Sequence, residues 1–418
     1  MDGLLTDKKI VVGITGSIAI YKSLELIRLF IKSGAKVRVI MSESAKEFIT
    51  PLTFEAISQN IVLHKESESW ANDNNHIGLA KWANIFVIAP ATANTINKIG
   101  AGIADNLLLE TILAYDKTLI IAPSANTKMY LNPNTTATLK KLKVFGHTIV
   151  EPQKKLLACN DEGIGAMAEP LEIFYQSARE LLKNDYWHNR RVVVSGGGTI
   201  EKIDDIRYIS NFSSGKMANA VALALYLKGC DVCLISTKNM SNLPNDIYKI
   251  ETQSTKDMFL YIQKSIEVAK KGVMTKIDIN DTEAPKIIKK KPYLFMVAAV
   301  SDFIPKNVKQ GKIKKEEIGE TFTLELRKNI DILSNISNDG IFKIGFKAET
   351  DEKSAMENAK KMLIKKNLDA VCLNIISKDN DFGTDFNEIH FIDKNYTQTI
   401  KKDTKLNVAL NILNFLEI

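Results

Sequence analysis

One local pattern occurs twice in this chain, and it limits the folds that the chain can adopt. An apolar run at residues 10–14 leads through a glycine turn and a helical pattern to a second apolar run at 37–41. A run at 192–194 leads in the same way, through a glycine-rich turn and a helical pattern, to a run at 232–236. Each arrangement is typical of a βαβ unit, in which a helix joins two parallel strands. We therefore predict two doubly wound α/β domains in series.

The length of 418 residues also favours more than one hydrophobic core. Further strands are predicted at 85–89 and 119–122 in the first half, and at 294–300, 343–346 and 370–374 in the second. A polar and aromatic stretch at 184–191 separates the halves. We therefore expect one domain at residues 1–186 and another at 187–418.

Composition narrows the class of protein. Hydrophobic residues make up 45% of the chain and charged residues 25%, which is typical of soluble globular proteins. The net charge of +7 is a weak signal for nucleic acid, and no signal-like or membrane-spanning apolar run is visible. Four cysteines are too few for a disulfide framework, and the pair Cys230 and Cys233 lacks a second pair of metal ligands. We expect a cytoplasmic protein with reduced thiols that binds neither nucleic acid nor membrane.

The first glycine turn, Thr15-Gly16-Ser17, lies where a strand meets a helix. Backbone N–H groups and the positive helix end could bind a phosphate there. A tight turn in which Ser17 is the N-cap explains the same residues. The turn lacks the G-x-G-x-x-G spacing of dinucleotide-binding folds, so a mononucleotide such as FMN stays open.

The loops of the first half form a more specific set when they are taken together. They are Gly16-Ser17-Ile18-Ala19 with Tyr21-Lys22, Pro90-Ala91-Thr92-Ala93-Asn94, Gly102-Ile103-Ala104-Asp105-Asn106, Pro123-Ser124-Ala125-Asn126 with Met129, and Leu157-Ala158-Cys159. Over about residues 8 to 180 this set resembles the flavin-dependent cysteine decarboxylases, specifically phosphopantothenoylcysteine decarboxylase. The resemblance implies a flavodoxin-like flavoprotein domain. It also implies that FMN is held by Gly16, Ser17, Ser42, Pro90, Thr92 and Asn94.

The resemblance further implies roles for three residues. Loss of CO₂ needs an electron sink, which arises when the flavin oxidises the substrate thiol to a thioaldehyde. Cys159 matches the family's proton donor, His76 its essential histidine, and Asn126 the asparagine that holds the substrate carboxylate. Taken singly, the three are explained as a small buried thiol, a helix-surface residue and a turn former.

Two positions depart from the decarboxylase pattern. Asn160 replaces a glycine, and Ala166 replaces an arginine that could contact a phosphate or carboxylate. In addition, Ser124-Ala125-Asn126 stands where alanine-methionine-asparagine is usual. We expect these changes to alter the loop over the substrate while the reacting residues are kept.

The second half carries its own signature. Ser195-Gly196-Gly197-Gly198-Thr199-Ile200-Glu201 is followed by Ile203-Asp204, Arg207 and the run 209–217. A Walker A loop is excluded because Met217 follows Lys216 where serine or threonine is required. With the runs 298–302, 312–315, 329–333, 345–350 and 366–369, the signature resembles the bacterial CTP-using phosphopantothenate–cysteine ligases over about residues 190 to 390.

That resemblance implies a Rossmann-like ligase domain that activates a carboxylate as an acyl-cytidylate for attack by the cysteine amine. Asn211 matches the residue that acts on the acyl-cytidylate, with Arg207 beside it. The matching CTP positions are Met296, Val297, Ala298, Asp302, Lys312, Ile330, Asp331, Ile332, Leu333, Phe346 and Lys366. Mg²⁺ would offset the triphosphate charge, but its ligands are not predicted.

Some features of the second half stay open. Charge alone explains Lys312, Lys314 and Lys315 as a solvated basic loop. Ile330 replaces a proline, Lys347 stands in a usual alanine position, and Met362 replaces a lysine.

The two resemblances belong to consecutive reactions, because the product of the ligase is the substrate of the decarboxylase. We therefore expect a bifunctional enzyme that uses 4'-phosphopantothenate, L-cysteine and CTP. The resemblance also implies a homo-oligomer, with trimer-based decarboxylase domains and dimeric ligase domains. One alternative is an active ligase beside a non-catalytic flavin-binding or regulatory domain. Another is a non-enzymatic regulatory flavoprotein.

Overall fold

The structure is a computed structural model, and it describes residues 2–71, 73–156, 162–274, 285–314, 319–377 and 380–417. The chain divides between Leu182 and Lys183 into two compact units, and the described residues 285–286 are grouped with the first unit. The aromatic stretch around Trp187 packs within the second unit. The Trp187 indole is fully buried and donates to Glu417, and the Arg190 guanidinium lies over the Tyr186 ring.

The first unit alternates strands and helices from its start. Its strands are β1 (Lys9–Ile14), β2 (Lys36–Met41), β3 (Ile85–Ala91), β4 (Leu119–Pro123), β5 (Thr148–Ile149), β6 (Gln153–Leu156) and β7 (Glu162–Ala166). Its helices are α1 (Ile20–Lys32), α2 (Glu43–Lys46), α3 (Pro51–Ser58), α4 (His76–Trp82), α5 (Ala93–Ala101), α6 (Leu107–Leu113), α7 (Thr127–Tyr130), α8 (Pro133–Val144) and α9 (Pro170–Leu182), with a 3-10 turn at Lys65–Ser67.

The five-stranded sheet of this unit has the order β2-β1-β3-β4-β5, and its neighbouring strands are parallel. This is the flavodoxin-like order 2-1-3-4-5. Every residue of β3 is buried, as expected of a parallel strand that helices cover on both faces. On one face, Phe30 of α1 meets Phe174 of α9 with ring centroids 5.6 Å apart. The predicted flavodoxin-like domain is confirmed.

The second unit contains more strands. They are β8 (Arg191–Gly196), β9 (Ile200–Lys202), β10 (Tyr208–Ser210), β11 (Asp231–Ser236), β12 (Tyr248–Glu251), β13 (Val273–Met274), β14 (Ile287–Ile288), β15 (Tyr293–Met296), β16 (Phe303–Pro305), β17 (Leu326–Lys328), β18 (Phe342–Glu349), β19 (Ala370–Ile375), β20 (Phe386–Asp393) and β21 (Thr397–Thr404). Its helices are α10 (Lys216–Leu227), α11 (Thr255–Lys270), α12 (Glu352–Lys365) and α13 (Lys405–Leu416), with a 3-10 turn at Leu333–Asn335.

Its eight-stranded sheet has the order β12-β11-β8-β15-β18-β19-β20-β21. The strands from β12 to β19 are parallel and follow the Rossmann order 3-2-1-4-5-6. Strands β20 and β21 add an antiparallel extension at one edge. The predicted Rossmann-like domain is confirmed.

One predicted strand is shorter than expected. The apolar run 294–300 predicted a single strand, but β15 ends at Met296. Beyond Met296 the backbone turns toward the glycine turn after β8, because Ala298 N donates to Ser195 Oγ (3.3 Å) and Ala299 N donates to Gly197 O (2.8 Å). The end of the run therefore belongs to a loop at the carboxyl edge of the sheet.

Across the described ranges, no helix combines the length and the apolar character that crossing a membrane requires.

Candidate active sites

In the first unit, the predicted FMN residues meet at the carboxyl edge of the parallel sheet. Gly16 and Ser17 follow β1, Ser42 follows β2, and Thr92 follows β3. The buried Thr15 joins two of these turns, since its Oγ1 donates to Pro90 O (2.7 Å) and accepts from Thr92 N (3.1 Å). Ligands of such sheets bind beyond the carboxyl ends of the strands. Thr15 lay in the predicted turn but was given no role of its own.

Gly16 allows a close approach between two loops. A Cβ atom on Gly16 would lie 2.7 Å from Ser44 Oγ and 2.8 Å from Ser44 O. Backbone N–H groups, nearby hydroxyls and the start of the 13-residue helix α1 suit a phosphate monoester such as that of FMN. Ala19, not Ser17, holds the N-cap position of α1. The tight turn is present, because Ser17 Oγ accepts from Ala19 N (3.3 Å) and Ser17 O accepts from Ile20 N (3.0 Å), and Ser17 Oγ also lies 2.8 Å from Ser124 Oγ.

A cleft of about 620 Å³ opens beside this turn. It is lined by Ser17, Ile18, Ala19, Tyr21, Lys22, Glu25, Ser124, Ala125, Asn126, Lys155, Leu156, Gly165, Ala166, Met167 and Glu169. Asn126 also caps helix α7, because its Oδ1 accepts from Lys128 N (2.9 Å). It therefore combines the turn-forming role with a place in the candidate site.

The hairpin of β6 and β7 lies directly against the Asn126 loop. Ala125 N donates to Gly165 O (3.0 Å), and a Cβ atom on Gly165 would lie 2.1 Å from Ala125 O. Glycine is therefore required for this contact. The predicted proton donor Cys159 and its neighbour Asn160 fall outside the described residues.

Two lysines and two glutamates line the cleft in which Ala166 replaces an arginine. Glu169 accepts from Lys22 Nζ (3.2 Å) and from Lys155 Nζ (2.5 Å). Burial acts to raise the pKa of Glu169, but the two lysines outweigh burial and lower the pKa below its usual value. Lys22 belonged to the predicted motif without a role, and no motif pointed to Lys155.

The remaining predicted residues of this unit lie outside the cleft. His76 begins helix α4, its Nδ1 lies 3.0 Å from Glu68 Oε1, and its ring meets Trp70 edge-on at 5.4 Å. Asn94 is an exposed residue of α5. His76 is thus not among the residues that line the cleft with Asn126.

In the second unit, the glycine turn after β8 is bonded to the loop after β15. Ala299 N donates to Gly197 O (2.8 Å), and Thr199 N donates to Ala299 O (3.2 Å). Asn211 Nδ2 donates to Val300 O (3.0 Å), and a Cβ atom on Gly198 would lie 2.4 Å from Asn211 O. The structure therefore brings Asn211 to the 298–302 loop.

A cavity of about 130 Å³ lies at this edge, where the strand order reverses. It is lined by Gly197, Ser213, Ser214, Gly215, Met217, Ala218, Val297, Ala298, Ala299, Phe346, Lys347, Ala348, Asn374, Asp381, Phe382, Asn387, Ile389 and Lys405. Among the predicted CTP positions, Val297, Ala298 and Phe346 line it. Met296 is buried beneath, where its Sδ accepts from Ser195 Oγ (3.1 Å).

One wall of the cavity was not predicted. Ser214 Oγ donates to Phe382 O (2.5 Å), and Lys216 Nζ donates to Gly383 O (2.8 Å) and Asp385 Oδ1 (2.6 Å). The hydrogen bond from Lys216 lowers the pKa of Asp385. This loop follows β19, so the rule that ligands bind at the carboxyl ends of parallel strands would have indicated it.

A buried hydrogen-bond network lies beside the cavity loops. Thr255 Oγ1 donates to Glu201 Oε1 (2.6 Å), lies 3.1 Å from Thr199 Oγ1 and accepts from Asn329 Nδ2 (2.9 Å). Asn329 Nδ2 also donates to Ser301 O (2.7 Å). We call these five residues the Thr255 network. It joins the signature strand β9 to the loops that carry Asp302 and Ile330.

Predicted CTP residues also meet around a buried lysine. Lys343 is 2% exposed, and its Nζ donates to Leu333 O (3.2 Å), Ile336 O (2.9 Å) and Lys366 O (3.2 Å). Burial lowers the pKa of Lys343, although Asp369 and Asp331 oppose the shift. The Lys366 side chain forms an ion pair of 2.9 Å with Asp331. Lys343 had no sequence signal as a site residue.

The departures in this region are also accounted for. Met362 packs on β18, because a Cβ atom on Gly345 would lie 2.8 Å from Met362 Cε. Lys347 forms an ion pair of 2.9 Å with Glu349, and Ile330 is 42% exposed.

Three charged candidates lie outside the cavity lining. Asp302 and Lys312 are exposed. Arg207 Nη1 donates to Asp204 Oδ2 (2.6 Å) and to Ile313 O (3.3 Å). Because Ile313 directly follows Lys312 in the sequence, Arg207 contacts the backbone beside Lys312. Lys315 lies outside the described residues.

Metal-ligand candidates do not cluster. Within the described parts of the chain, no group of three or more His, Cys, Asp or Glu side chains could hold a metal ion. Cys230 and Cys233 are free thiols, and Cys230 is buried with its Sγ donating to Trp187 O (3.5 Å).

The two units each match a known family. The Flavoprotein family matches residues 2–181. The family described as DNA/pantothenate metabolism flavoprotein C-terminal domain matches residues 187–281 and 273–417. The fold and these matches define the class: a flavoprotein unit joined to a pantothenate-metabolism unit.

Relatives with both units are found in several bacteria. The coenzyme A biosynthesis bifunctional protein CoaBC of Borreliella burgdorferi is 34% identical over 413 residues, covering 98% of this chain and 99% of the relative. The CoaBC proteins of Haemophilus influenzae and Bacillus subtilis are 36% and 33% identical, each covering 98% of this chain and 97% of the relative. The chain belongs to the family of coenzyme A biosynthesis bifunctional proteins CoaBC.

Solved structures resemble each unit separately. The C-terminal domain of a coenzyme A biosynthesis bifunctional protein CoaBC is 26% identical, with a TM-score of 0.42, and covers 56% of this chain and 97% of that one. The FMN binding protein AtHal3 is 37% identical, with a TM-score of 0.37, and covers 41% and 95%.

Family membership confirms that the chain is an enzyme of coenzyme A biosynthesis, with a decarboxylase and a ligase in one polypeptide. The alternative of a non-enzymatic regulatory protein is thereby set aside.

Proposed function

We propose that residues 187–418 join 4'-phosphopantothenate to L-cysteine with CTP, and that residues 1–186 decarboxylate the product with FMN. The observation that carries this proposal is the position of the two candidate sites. In each unit, several residues of one motif set lie at the carboxyl edge of a doubly wound sheet, beside a cleft or a cavity. We also propose a cytoplasmic homo-oligomer, with decarboxylase domains in trimers and ligase domains in dimers.

In the ligase domain, the cavity behind Ser213–Gly215 is the proposed nucleotide site. The carboxylate of 4'-phosphopantothenate attacks the α-phosphate of CTP, so that an acyl-cytidylate forms and pyrophosphate leaves. Asn211, held at Val300 O (3.0 Å), acts on the acyl-cytidylate while the cysteine amine displaces CMP. Lys312 and Arg207 offset the phosphate charge. Mg²⁺ would offset the charge of the triphosphate.

In the decarboxylase domain, FMN would be held by Gly16, Ser17, Ser42, Pro90, Thr92 and Asn94. When bound, FMN supplies the oxidation of the substrate thiol that makes loss of CO₂ possible. Asn126 orients the substrate carboxylate at the cleft, which Lys22 and Lys155 also line. His76 assists the oxidative decarboxylation, and Cys159 donates the proton that completes the product.

The whole proposal is tested by incubating the purified chain with 4'-phosphopantothenate, L-cysteine, CTP and Mg²⁺. Mass spectrometry follows phosphopantothenoylcysteine and 4'-phosphopantetheine, and a reaction without CTP is the control. CTP-dependent formation of 4'-phosphopantetheine is expected. Accumulation of phosphopantothenoylcysteine alone would show an active ligase beside a non-catalytic flavin domain. Absence of both products would refute the proposal.

The role of Cys159 is tested with Cys159→Ser. Serine is a much weaker proton donor than cysteine, so we expect the oxidised, decarboxylated intermediate to accumulate. Mass spectrometry of the products distinguishes it from 4'-phosphopantetheine. A wild-type yield of 4'-phosphopantetheine from this variant would remove Cys159 from the mechanism.

A further inference from the structure

The carboxylate of Asp204 is a buried acceptor in the turn between β9 and β10. Its side chain is 0% exposed, although that of its partner Arg207 is 40% exposed. Within the turn, Asp204 Oδ1 accepts from Ile206 N (2.7 Å) and Arg207 N (2.6 Å), and Oδ2 accepts from Arg207 Nη1 (2.6 Å). Asp204 therefore orients both the backbone and the guanidinium of Arg207.

The same carboxylate also binds a distant segment. Asp204 Oδ2 accepts from Ile313 N (3.1 Å), and Arg207 Nη1 donates to Ile313 O (3.3 Å). Ile313 is buried and follows the exposed Lys312. We call residues 309–314 the Lys312 loop. Asp204 is thus the shared anchor of Arg207 and this loop.

Two further hydrogen bonds hold the turn and the Lys312 loop together. Lys309 N donates to Ile203 O (3.1 Å), and Gly311 N donates to Asp205 Oδ2 (2.8 Å). Every second residue from Lys309 to Ile313 therefore donates its N–H to the turn. The contact resembles a short strand pairing in which two neighbouring carboxylates replace backbone acceptors.

The charge of Asp204 fits this arrangement. Burial acts to raise the pKa of Asp204, but the N–H donors of Ile313, Ile206 and Arg207 outweigh burial and lower the pKa. A carboxylate that offers only acceptors suits a position surrounded by donors. The side-chain amide of an asparagine at this position would place its own N–H group against one of these donors, so that one hydrogen bond would be lost.

We propose that Asp204 is a positioning residue of the ligase site, which fixes Arg207 and the Lys312 loop to one anchor so that their two cations act together. This inference rests on the proposed ligase function. Forming the acyl-cytidylate brings a carboxylate and a triphosphate together, and their negative charges repel. Two cations held at a fixed separation offset that repulsion without being ordered anew in each turnover.

The test compares Asp204→Asn with Asp205→Asn, two identical changes at neighbouring residues. The exposed Asp205 accepts the Gly311 N–H, and an asparagine oxygen at this position can also accept it. Pyrophosphate release from CTP and 4'-phosphopantothenate, with cysteine present to consume the acyl-cytidylate, reports steady-state turnover of the ligase. We expect Asp204→Asn to raise the KM for CTP about tenfold or more, because a buried donor loses its acceptor, and Asp205→Asn to leave it unchanged.

A role through Lys312 is tested by a double-mutant cycle. Lys312→Met should raise the KM for CTP strongly in the wild-type chain and much less in Asp204→Asn, because the loop is already displaced. Independent, multiplicative effects would overturn the proposal. So would an unchanged KM for CTP in a folded Asp204→Asn chain.

Trypsin cleavage after Lys309, Lys312 and Lys314 gives a readout that does not need ligase activity. Cleavage in Asp204→Asn should be about tenfold faster than in Asp205→Asn, since an unanchored loop opens more often. If the wild-type chain releases no pyrophosphate, the proposed function fails and the anchoring is judged by cleavage alone. Equal cleavage of the two variants refutes it. If Asp204→Asn does not fold, Arg207→Gln replaces it, since Arg207 is the exposed partner of Asp204 in the same contact. Trypsin cleavage of Arg207→Gln that is no faster than that of Asp205→Asn would then refute the anchoring of the Lys312 loop.

Discussion

Thr252 and Thr255 are neighbouring buried threonines with different hydrogen bonding. Thr255 is 1% exposed and joins Glu201 to Asn329 in the Thr255 network. Thr252 is 8% exposed, and its Oγ1 has no hydrogen-bond partner among the described residues. The pair therefore separates the effect of a bonded buried hydroxyl from that of an unbonded one.

Thr255→Val should lower the free energy of unfolding of the ligase unit by about 1 to 3 kcal/mol, because Glu201 and Asn329 each lose a buried partner. Thr252→Val should leave it unchanged or raise it slightly. Urea unfolding followed by Trp187 fluorescence, in a chain with Trp70→Phe and Trp82→Phe, measures both. Equal losses in the two variants would contradict the importance of the network.

The lowered pKa of Asp204 predicts a dependence of stability on pH. A carboxyl group whose folded pKa lies below its unfolded value of about 4 stabilises the folded state above that value, and this stabilisation is lost as the pH falls through the folded pKa. Asp204→Asn should therefore reduce the loss of ligase-unit stability at low pH. Urea midpoints between about pH 3 and pH 7 measure this, with Asp205→Asn as control. If the urea midpoints of the wild type and of Asp204→Asn fall equally with decreasing pH, Asp204 is not responsible for the pH dependence.

At the scale of elements, the turn between β1 and α1 depends on Gly16. A methyl group on Gly16 would meet Ser44 Oγ at 2.7 Å and Ser44 O at 2.8 Å. Gly16→Ala should therefore separate the two loops and strongly reduce the FMN content of the purified chain, read from its visible absorbance. Gly383→Ala is the control, because no atom lies within 4 Å of the added methyl group. A normal flavin content in Gly16→Ala would show that these loops do not form the phosphate cradle.

The elements also show how far sequence reasoning extends. Strands such as β1, β3 and β8 were predictable because buried parallel strands are continuous apolar runs. The end of β15 was not, since Val297 to Val300 are as apolar as a strand and only contacts with the glycine turn draw them out of the sheet. Antiparallel β20 and β21 lacked a comparable apolar run, because one face of β20 is only half-buried and most of β21 is exposed.

At the candidate sites, too, the sequence indicated some residues and not others. Motif residues such as Gly16, Asn211 and Phe346 were predictable because their spacing is tied to one chemistry. Lys343 and Lys155 were not, since an isolated lysine normally signals a solvated surface. Only tertiary structure shows that Lys343 is buried under three carbonyl groups. Motif matching also grouped His76 with Asn126, whereas His76 does not line the cleft that contains Asn126.

For the whole molecule, the two compact units predict separable activities. Asn211→Ala should abolish the formation of 4'-phosphopantetheine from 4'-phosphopantothenate, yet convert added phosphopantothenoylcysteine at the wild-type rate. His76→Gln should do the reverse and accumulate phosphopantothenoylcysteine. An equal mixture of the two variants should again convert 4'-phosphopantothenate to 4'-phosphopantetheine, because phosphopantothenoylcysteine can diffuse from one chain to another. Mass spectrometry measures the products of each variant and of the mixture. If the mixture forms no 4'-phosphopantetheine, phosphopantothenoylcysteine does not leave the chain that makes it.

The two edge strands of the eight-stranded sheet have features that discourage aggregation. Strand β12 is only four residues long, and β21 exposes Lys401 and Lys402 in mid-strand. An outer strand offers unpaired backbone groups to any other extended chain, and short length or lysine charge discourages such pairing. The sheet can therefore grow to eight strands without presenting a long apolar template. This protects the newly made protein from aggregation with its own copies at high concentration.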